Sequence, residues 1–335
     1  DMEKFFLGGN TAQGFKGFYG SELARADNVV LLKGAPGTGK STLIKRLGAE
    51  CAERGLDHEM WYCSGDPSSA DGIFIKELST AVVDATSPHP CEPSLPVIRE
   101  RIVDMAAALD RRVLLGRKGS IEKLLSDKKR SYARAYELLK CAFTHLLDAQ
   151  RAYAEREDVC RIRRLAAAFA LRESGEARGG ELPRNVFHRA ITPDGTAGFF
   201  EHLAGRRVFA VEGSVTGAHI FLKEAAGLIP SSVILHHPLD PDRVDGVLWE
   251  GCALTRCPGL FRTAAEKVEL DDAAGARAEE RDVMLCRGKV RDAERELASA
   301  KAAHLEVEKL HAEGMDYAVT ESLGQRVKEL VFEGK

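Results

Sequence analysis

The residues best suited to chemistry form one glycine-rich segment in the first part of the chain. In order they are Gly34, Ala35, Pro36, Gly37, Thr38, Gly39, Lys40, Ser41 and Thr42, which fit the pattern GxxxxGK[ST]. Glycines in such a loop let backbone N–H groups approach phosphate oxygens closely. Lys40, our first candidate catalytic residue, would reach the β- and γ-phosphates of a nucleotide, and the Ser41 hydroxyl would ligate Mg²⁺. The alternative is a glycine turn that binds nothing.

The neighbouring sequence predicts the elements that would hold this segment in place. The apolar run 29–32 before it is typical of a buried strand, and apolar residues recur at helical spacing after it. We therefore expect a helix from about Lys40 to about Arg54, ending at Gly55. Its free N–H groups and the positive end of its dipole would add to phosphate binding.

Two aspartates follow predicted strands downstream. Asp66 comes after the strand 58–63, and Asp84 follows the apolar strand 80–83. Ligands collect at the carboxyl ends of parallel strands, so both carboxylates should lie on the phosphate side of a sheet. Asp84 has the form of a Walker B element that supports Mg²⁺, or it caps its strand. Asp66 is a candidate catalytic residue that orients water, accepts a proton or helps to hold Mg²⁺, or it caps a turn before Pro67.

The composition limits the class of protein. The chain has 335 residues, which exceeds the usual size of one domain, and 44% of them are hydrophobic. No run of 18 apolar residues predicts a membrane span, and the net charge of −3 gives no electrostatic case for general nucleic-acid binding. Eight cysteines without a CxxC pair are typical of reduced thiols, and the first residues lack the apolar core of a secretory signal. We therefore predict a cytoplasmic protein.

Long helices are predicted after the α/β part of the first half of the chain. Apolar residues recur at steps of three and four in 98–109 and in 121–146, with a turn expected at Gly116 and Gly119. A helical hairpin or small bundle should result. Its many Arg and Lys residues are most simply a solvated face, and a protein partner or, less readily, a nucleic acid on these helices is left open. The segment 175–183 is predicted to be a linker.

The second half repeats the first. Residues 192–200 align with 11–19, 208–213 with 29–34, and 240–247 with 66–73, while the offset shrinks from 181 to 174. A helical tail follows, with a stripe of residues at three and four spacing from Val283 to Val307. His304 lies in that stripe, and we expect it to pack rather than to bind a ligand.

We therefore predict a tandem duplication of one P-loop NTPase-like α/β unit, with mostly parallel strands and a helical appendage on each copy. The first unit would be 1–183, with its appendage at about 97–175. The second would be 184–335, with its appendage at about 275–335.

The two halves differ where the phosphate chemistry would be. The second half has 213–219 in place of 34–41, one residue shorter, with Ala218 where Lys40 would be. No strand that ends in aspartate corresponds to Asp84. We therefore predict one working site in the first unit and a pseudo-site in the second.

Several segments together resemble a bacterial family of tandem P-loop ATP-binding proteins of unsettled function. They are Gly-Asn-Thr-x-x-Gly-Phe at 9–15, the block 63–73, the segment 84–89 and Thr-Pro-Asp-Gly at 192–195. The similarity covers nearly the whole chain. It implies two nucleotide-binding α/β units and an ATPase-like activity, and it supplies no substrate. In that family the second unit commonly keeps its own phosphate loop, so this sequence departs from it there.

The leading hypothesis is an ATP- and Mg²⁺-binding NTPase with slow turnover at the first unit. A small-molecule kinase is the first rival, because hydrolysis and phosphoryl transfer need the same phosphate loop. Its phosphate acceptor would lie in the second unit or between the units. A nucleotide-dependent switch or scaffold, with a partner bound to its helices, is the second rival. No arginine finger can be assigned from the sequence.

Overall fold

Two six-stranded sheets form the framework of the molecule. The structure is a computed structural model that describes residues 2–87, 92–174, 183–230, 232–256 and 265–333. The predicted linker at 175–183 lies outside these residues, apart from its last position. Within the described part of the chain, no helix is both long enough and apolar enough to cross a membrane.

The first half of the chain builds the first sheet. Side by side, its strands are β1 (Met2–Phe5), β5 (His58–Tyr62), β6 (Ala70–Ile75), β7 (Thr80–Asp84), β4 (Asn28–Lys33) and β8 (Glu100–Asp104). All neighbours are parallel except where β6 is one of the pair. The strands β2 (Gly8–Thr11) and β3 (Gly14–Gly17) form a separate hairpin, followed by the short helix α1 (Tyr19–Leu23). The prediction of an α/β fold with mostly parallel strands is confirmed.

The second half builds a sheet with the same order. Its strands are β9 (Arg184–Val186), β13 (Val233–His236), β14 (Val244–Trp249), β15 (Cys252–Thr255), β12 (Arg207–Glu212) and β16 (Glu266–Glu269). Here β14 alone runs opposite to its neighbours. The strands β10 (Arg189–Thr192) and β11 (Gly195–Gly198) form a second hairpin. The two sheets therefore agree, strand by strand, in order and direction.

One helix follows the equivalent strand of each sheet, the strand next to one edge. Helix α2 (Lys40–Glu53) follows β4, and helix α5 (Val215–Leu228) follows β12. Apolar residues of β4 and of one face of α2 pack in one buried cluster, which fixes the helix on the sheet. Helix α2 ends just before Gly55, as predicted, and Gly55 has the left-handed φ of 69° that favours glycine at this position.

Two long helices lie side by side across both halves. They are α3 (Arg111–Ala154), of 44 residues, and α6 (Ala273–Ala312), of 40 residues. They run antiparallel, because Lys128 contacts His304 in one region and Tyr153 contacts Asp272 in another. A helix of this length spans about 65 Å. We call α3 and α6 the helix pair.

Two helix predictions for the first half were wrong. The segment 98–109 forms β8 and a 3₁₀ turn (Met105–Ala108) rather than a helix. The expected turn at Gly116 and Gly119 lies inside α3, which continues through both glycines. Each glycine costs a helix only about 1 kcal/mol relative to alanine, so two of them do not end a helix that packs along its length. In addition, α3 pairs with α6 from the other half rather than folding back as a hairpin.

The remaining two helices are exchanged between the halves. Helix α7 (Tyr317–Phe332), the last helix of the chain, packs on the first sheet through Val327, Leu330 and Val331. Helix α4 (Val159–Ser174) packs on α5 and the second sheet through Ile162, Ala166 and Phe169. Each sheet thus receives its outer helix from the other half of the sequence. The bounds 1–183 and 184–335 stay a prediction.

Candidate functional site

The glycine-rich loop lies between β4 and α2, at the carboxyl edge of the first sheet. Gly37 and Gly39 have φ values of 80° and 84°, a region that residues with a Cβ rarely adopt. The Lys40 ammonium is buried and donates hydrogen bonds to the carbonyl oxygens of Gly34 and Ala35, both at 2.9 Å. The strand–loop–helix context predicted for this segment is confirmed.

Asp84 lies beside this loop. It ends β7, which pairs in parallel with β4, and its Oδ2 is 3.6 Å from the Lys40 Nζ. Its Oδ1 accepts hydrogen bonds from the backbone N–H and the hydroxyl of Thr86. Asp84 therefore caps the strand end and also faces the loop lysine, so both interpretations of this carboxylate agree with its geometry.

The three hydroxyl residues of the loop have different surroundings. The Ser41 Oγ accepts a hydrogen bond from the Ala70 N–H at 2.9 Å, which leaves lone-pair capacity on the oxygen. The Thr38 hydroxyl donates to the Ala35 carbonyl at 2.8 Å and so stabilises the loop. Thr42 is exposed. Ser41 thus contacts Ala70, the first residue of β6.

Asp66 lies in the turn after β5, at the same edge. Its carboxylate accepts the N–H and hydroxyl of Ser68, as a turn cap does, and forms an ion pair of 3.1 Å with Lys301 of α6. Burial acts to raise the pKa of Asp66, but hydrogen bonds from Lys301 and Ser68 outweigh it, and the pKa lies below its usual value. The turn cap exists, and a charged carboxylate also faces the helix pair.

The sequence did not reveal that α6 covers the phosphate loop. His311 Nδ1 is 2.7 Å from the Pro36 carbonyl oxygen. One turn earlier, the backbone of Glu308 is so close to Gly37 that a Cβ placed on the glycine would lie 3.1 Å from the Glu308 carbonyl oxygen. The Glu308 Cβ would lie 3.3 Å from the same position. The second half of the chain therefore forms one wall of the site in the first half.

Polar groups of the helix pair continue this wall. The Lys128 Nζ of α3 is 2.8 Å from His304 Nδ1, and His304 Nε2 is 3.6 Å from Glu308 Oε1. Burial, together with Lys128 and Lys40, lowers the pKa of His304 to about 4, so its imidazole is neutral at pH 7. The stripe from Val283 to Val307 is buried as predicted at most positions, yet His304 within it faces polar groups. The sequence did contain a signal of this polar face, since α6 has polar residues three and four positions apart at Lys301, His304 and Glu308.

An open groove gives access to this wall. It has a volume of about 680 Å³ and runs along α3 and α6 beside Gly37 and Glu308, with Leu124 and Leu305 among its apolar lining residues. An apolar groove with a polar end at the loop has the composition that small-molecule sites commonly show.

The corresponding helix start in the second half is closed by protein carboxylates. Helix α5 begins directly at Val215, and the Glu279 carboxylate of α6 accepts the N–H groups of Val215 and Thr216. The Ser214 N–H and hydroxyl donate to Asp272. Glu279 is only 2% exposed. Its carboxylate thus fills the place at a helix N-terminus where an anion would otherwise bind.

The charge at the next strand is also reversed. Leu31 of β4 pairs with Val83, and the equivalent Ala210 of β12 pairs with Thr255, so the residue in the position of Asp84 is Arg256. The buried Ala218 supplies no charge in place of Lys40. Neither the loop cation nor the adjacent carboxylate of the first site is present at the second.

No protein-family profile, curated protein or solved structure matches this chain. The resemblance to tandem P-loop proteins therefore stays a prediction.

Proposed function

We propose that the protein is a P-loop NTPase that binds ATP and Mg²⁺ at the loop from Gly34 to Thr42. The observation that supports it best is the pairing of the loop cation with the neighbouring strand-end carboxylate. Lys40 folds into the loop at the carboxyl edge of a parallel pair of strands, with Asp84 at 3.6 Å. This combination of glycine loop, lysine and carboxylate is what binding and hydrolysis of a nucleoside triphosphate require.

The residues of this site divide into three roles. The loop N–H groups and Lys40 would hold the phosphates. The oxygens of Ser41 and Asp84 suit Mg²⁺, which prefers oxygen ligands and would neutralise phosphate charge when bound. Asp66, charged and at the same edge, would orient the attacking water or accept its proton.

We further propose that the chain is a tandem duplication with one working site. The equal order and direction of the strands in both sheets support the duplication. The Glu279 carboxylate at the start of α5, and Ala218 and Arg256 in place of Lys40 and Asp84, support the loss of phosphate binding in the second copy. The second copy would then serve as a scaffold that places α6 against the first site. We place this activity in the cytoplasm, in keeping with the six free thiols among the described residues.

The test is the thermal stability of the protein with and without Mg-ATP. Ligand at one hundred times its Kd adds about 2.7 kcal/mol to the free energy of unfolding. We expect this gain in the wild-type protein and in the control variant Lys45→Ala, since Lys45 is exposed on α2. We expect no gain in Lys40→Ala. If Lys40→Ala is stabilised by Mg-ATP as strongly as the wild type, the site assignment is wrong.

A nucleotide-dependent switch is a second candidate, because α6 touches the loop at Pro36 and Gly37. Phosphate binding in the loop would then change the contacts between the loop and α6. Tight nucleotide binding with negligible turnover, and a change in hydrogen exchange along 273–312 on binding, would favour the switch over the NTPase.

A further inference from the structure

We propose that Lys128 of α3 contacts the terminal phosphate of the bound nucleotide and supplies the positive charge that an arginine finger supplies in other NTPases. The inference rests on the proposed function and adds a residue to it that the sequence motif does not contain. It assigns to the helix pair a direct part in the chemistry of the first site.

The partners of Lys128 indicate a role in binding an anion. Its ammonium donates to the His304 Nδ1 at 2.8 Å, and His304 is neutral at pH 7. Among the residues that the structure describes, no carboxylate lies within ion-pair distance of this nitrogen. Burial lowers the pKa of Lys128, as expected for a cation that has lost water without gaining a close anion. An ammonium in this position would be stabilised by a phosphate.

The Glu308 carboxylate marks where that phosphate would lie. The backbone and Cβ of Glu308 lie against Gly37, one of the loop residues whose amides would cradle phosphates. Burial and Asp66 raise the pKa of this carboxylate, and the charges of Lys40 and Lys128 offset them only in part. One anionic group at the loop therefore lies in the field of two cations, Lys40 from α2 and Lys128 from α3.

The direction of approach selects the terminal phosphate. Loop amides hold the inner phosphates, and the P-loop lysine reaches the β- and γ-phosphates. Lys128 comes from the helix pair, and His304 links it to Glu308 beside the loop. A γ-phosphate that displaces the Glu308 carboxylate would meet Lys128 and His304 there. Lys40 and Lys128 would then both stabilise the negative charge that develops on the γ-phosphate during transfer.

The experiment compares binding of a non-hydrolysable ATP analogue and of ADP, each with Mg²⁺, by isothermal titration calorimetry. The variants are Lys128→Gln, Lys128→Arg and the control Lys129→Gln, which alters an exposed lysine one position along α3. Lys128→Gln should lower the affinity for the analogue about tenfold or more, because a hydrogen bond to a charged group is lost. It should change the affinity for ADP by less than about twofold. Lys128→Arg should restore most of the loss, and Lys129→Gln should match the wild type. The value of kcat should fall with the affinity for the analogue.

Three results would overturn the inference. If Lys128→Gln lowers the affinities for the analogue and for ADP equally, Lys128 only supports the fold of the site. Unchanged affinity for both would mean that Lys128 does not reach the nucleotide. A wild-type protein that binds neither ligand would overturn the proposed function itself, and the inference with it.

Discussion

At the scale of single residues, one glutamate of α6 lies near the loop before α2 and another near the start of α5. Glu279 accepts N–H groups at the start of α5, and Glu308 lies against Gly37 of the phosphate loop. The two differ in burial, because Glu279 is 2% exposed, whereas the Glu308 side chain is 37% exposed. Burial and two hydrogen bonds therefore hold Glu279 in its place, and we expect a stronger anion to displace the more exposed Glu308.

Glu308→Gln should bind Mg-ATP more tightly than the wild type. The neutral amide does not repel phosphate beside Gly37, so we expect affinity to rise about tenfold, or ~1.4 kcal/mol. Titration calorimetry measures this directly. The control is Glu306→Gln, because Glu306 lies on the same helix, is exposed and pairs with Lys309. Weaker binding in Glu308→Gln would show instead that the carboxylate assists the nucleotide.

At the scale of elements, α3 is one continuous helix where the sequence suggested a turn. Nothing lies within 4 Å of the place that a Cβ would take at Gly116 or Gly119. The double variant Gly116→Ala/Gly119→Ala should therefore raise the free energy of unfolding by about 1–2 kcal/mol, because alanine lowers the entropy cost of the helix. Urea denaturation measures the change. Gly55→Ala should instead lower the free energy of unfolding, because Gly55 has a φ of 69° that alanine rarely adopts. A loss of stability in the double variant would argue for a turn.

Local signals made part of the fold and site predictable from the sequence. The strands β4, β5 and β7, the helix α2 and the positions of Lys40 and Asp84 beside each other follow from short patterns and from the rule that parallel strands end at one edge. Contacts between distant segments were not predictable. Lys128 and His304 are 176 residues apart in sequence, and periodicity shows that a helix has a packing face without showing which helix it packs against. The wall of the site formed by α6 was missed for that reason.

At the scale of the whole molecule, the two halves are joined by buried polar contacts as well as by exchanged helices. Phe6 and Phe187 exchange backbone hydrogen bonds of 2.8 and 3.0 Å across the boundary. Near them, Arg184 of the second half pairs with Glu22 at 2.6 Å and Glu59 at 2.8 Å, and Arg25 pairs with the same two carboxylates. Both glutamate side chains are 1% exposed. The first sheet thus depends on a cation from the second half.

Arg184→Met should lower the free energy of unfolding by about 3 kcal/mol at pH 7, because it leaves two buried carboxylates with only Arg25. Burial acts to raise the pKa of Glu59, but Arg184 and Arg25 outweigh it, and the pKa lies below its usual value. A lowered pKa gives stability that is present above the unfolded-state pKa of about 4.5 and is lost as the pH falls through the folded-state value. The difference in free energy of unfolding between Arg184→Met and the wild type should therefore narrow below about pH 4.5, as the carboxylates are protonated.

Urea denaturation across this pH range measures that difference. The control is Arg134→Met, since Arg134 also joins the halves through Glu296 but is 69% exposed. The loss in free energy of unfolding in Arg184→Met could instead stay constant with pH, or be no larger than the loss in Arg134→Met. Either result would mean that the network does not hold the halves together.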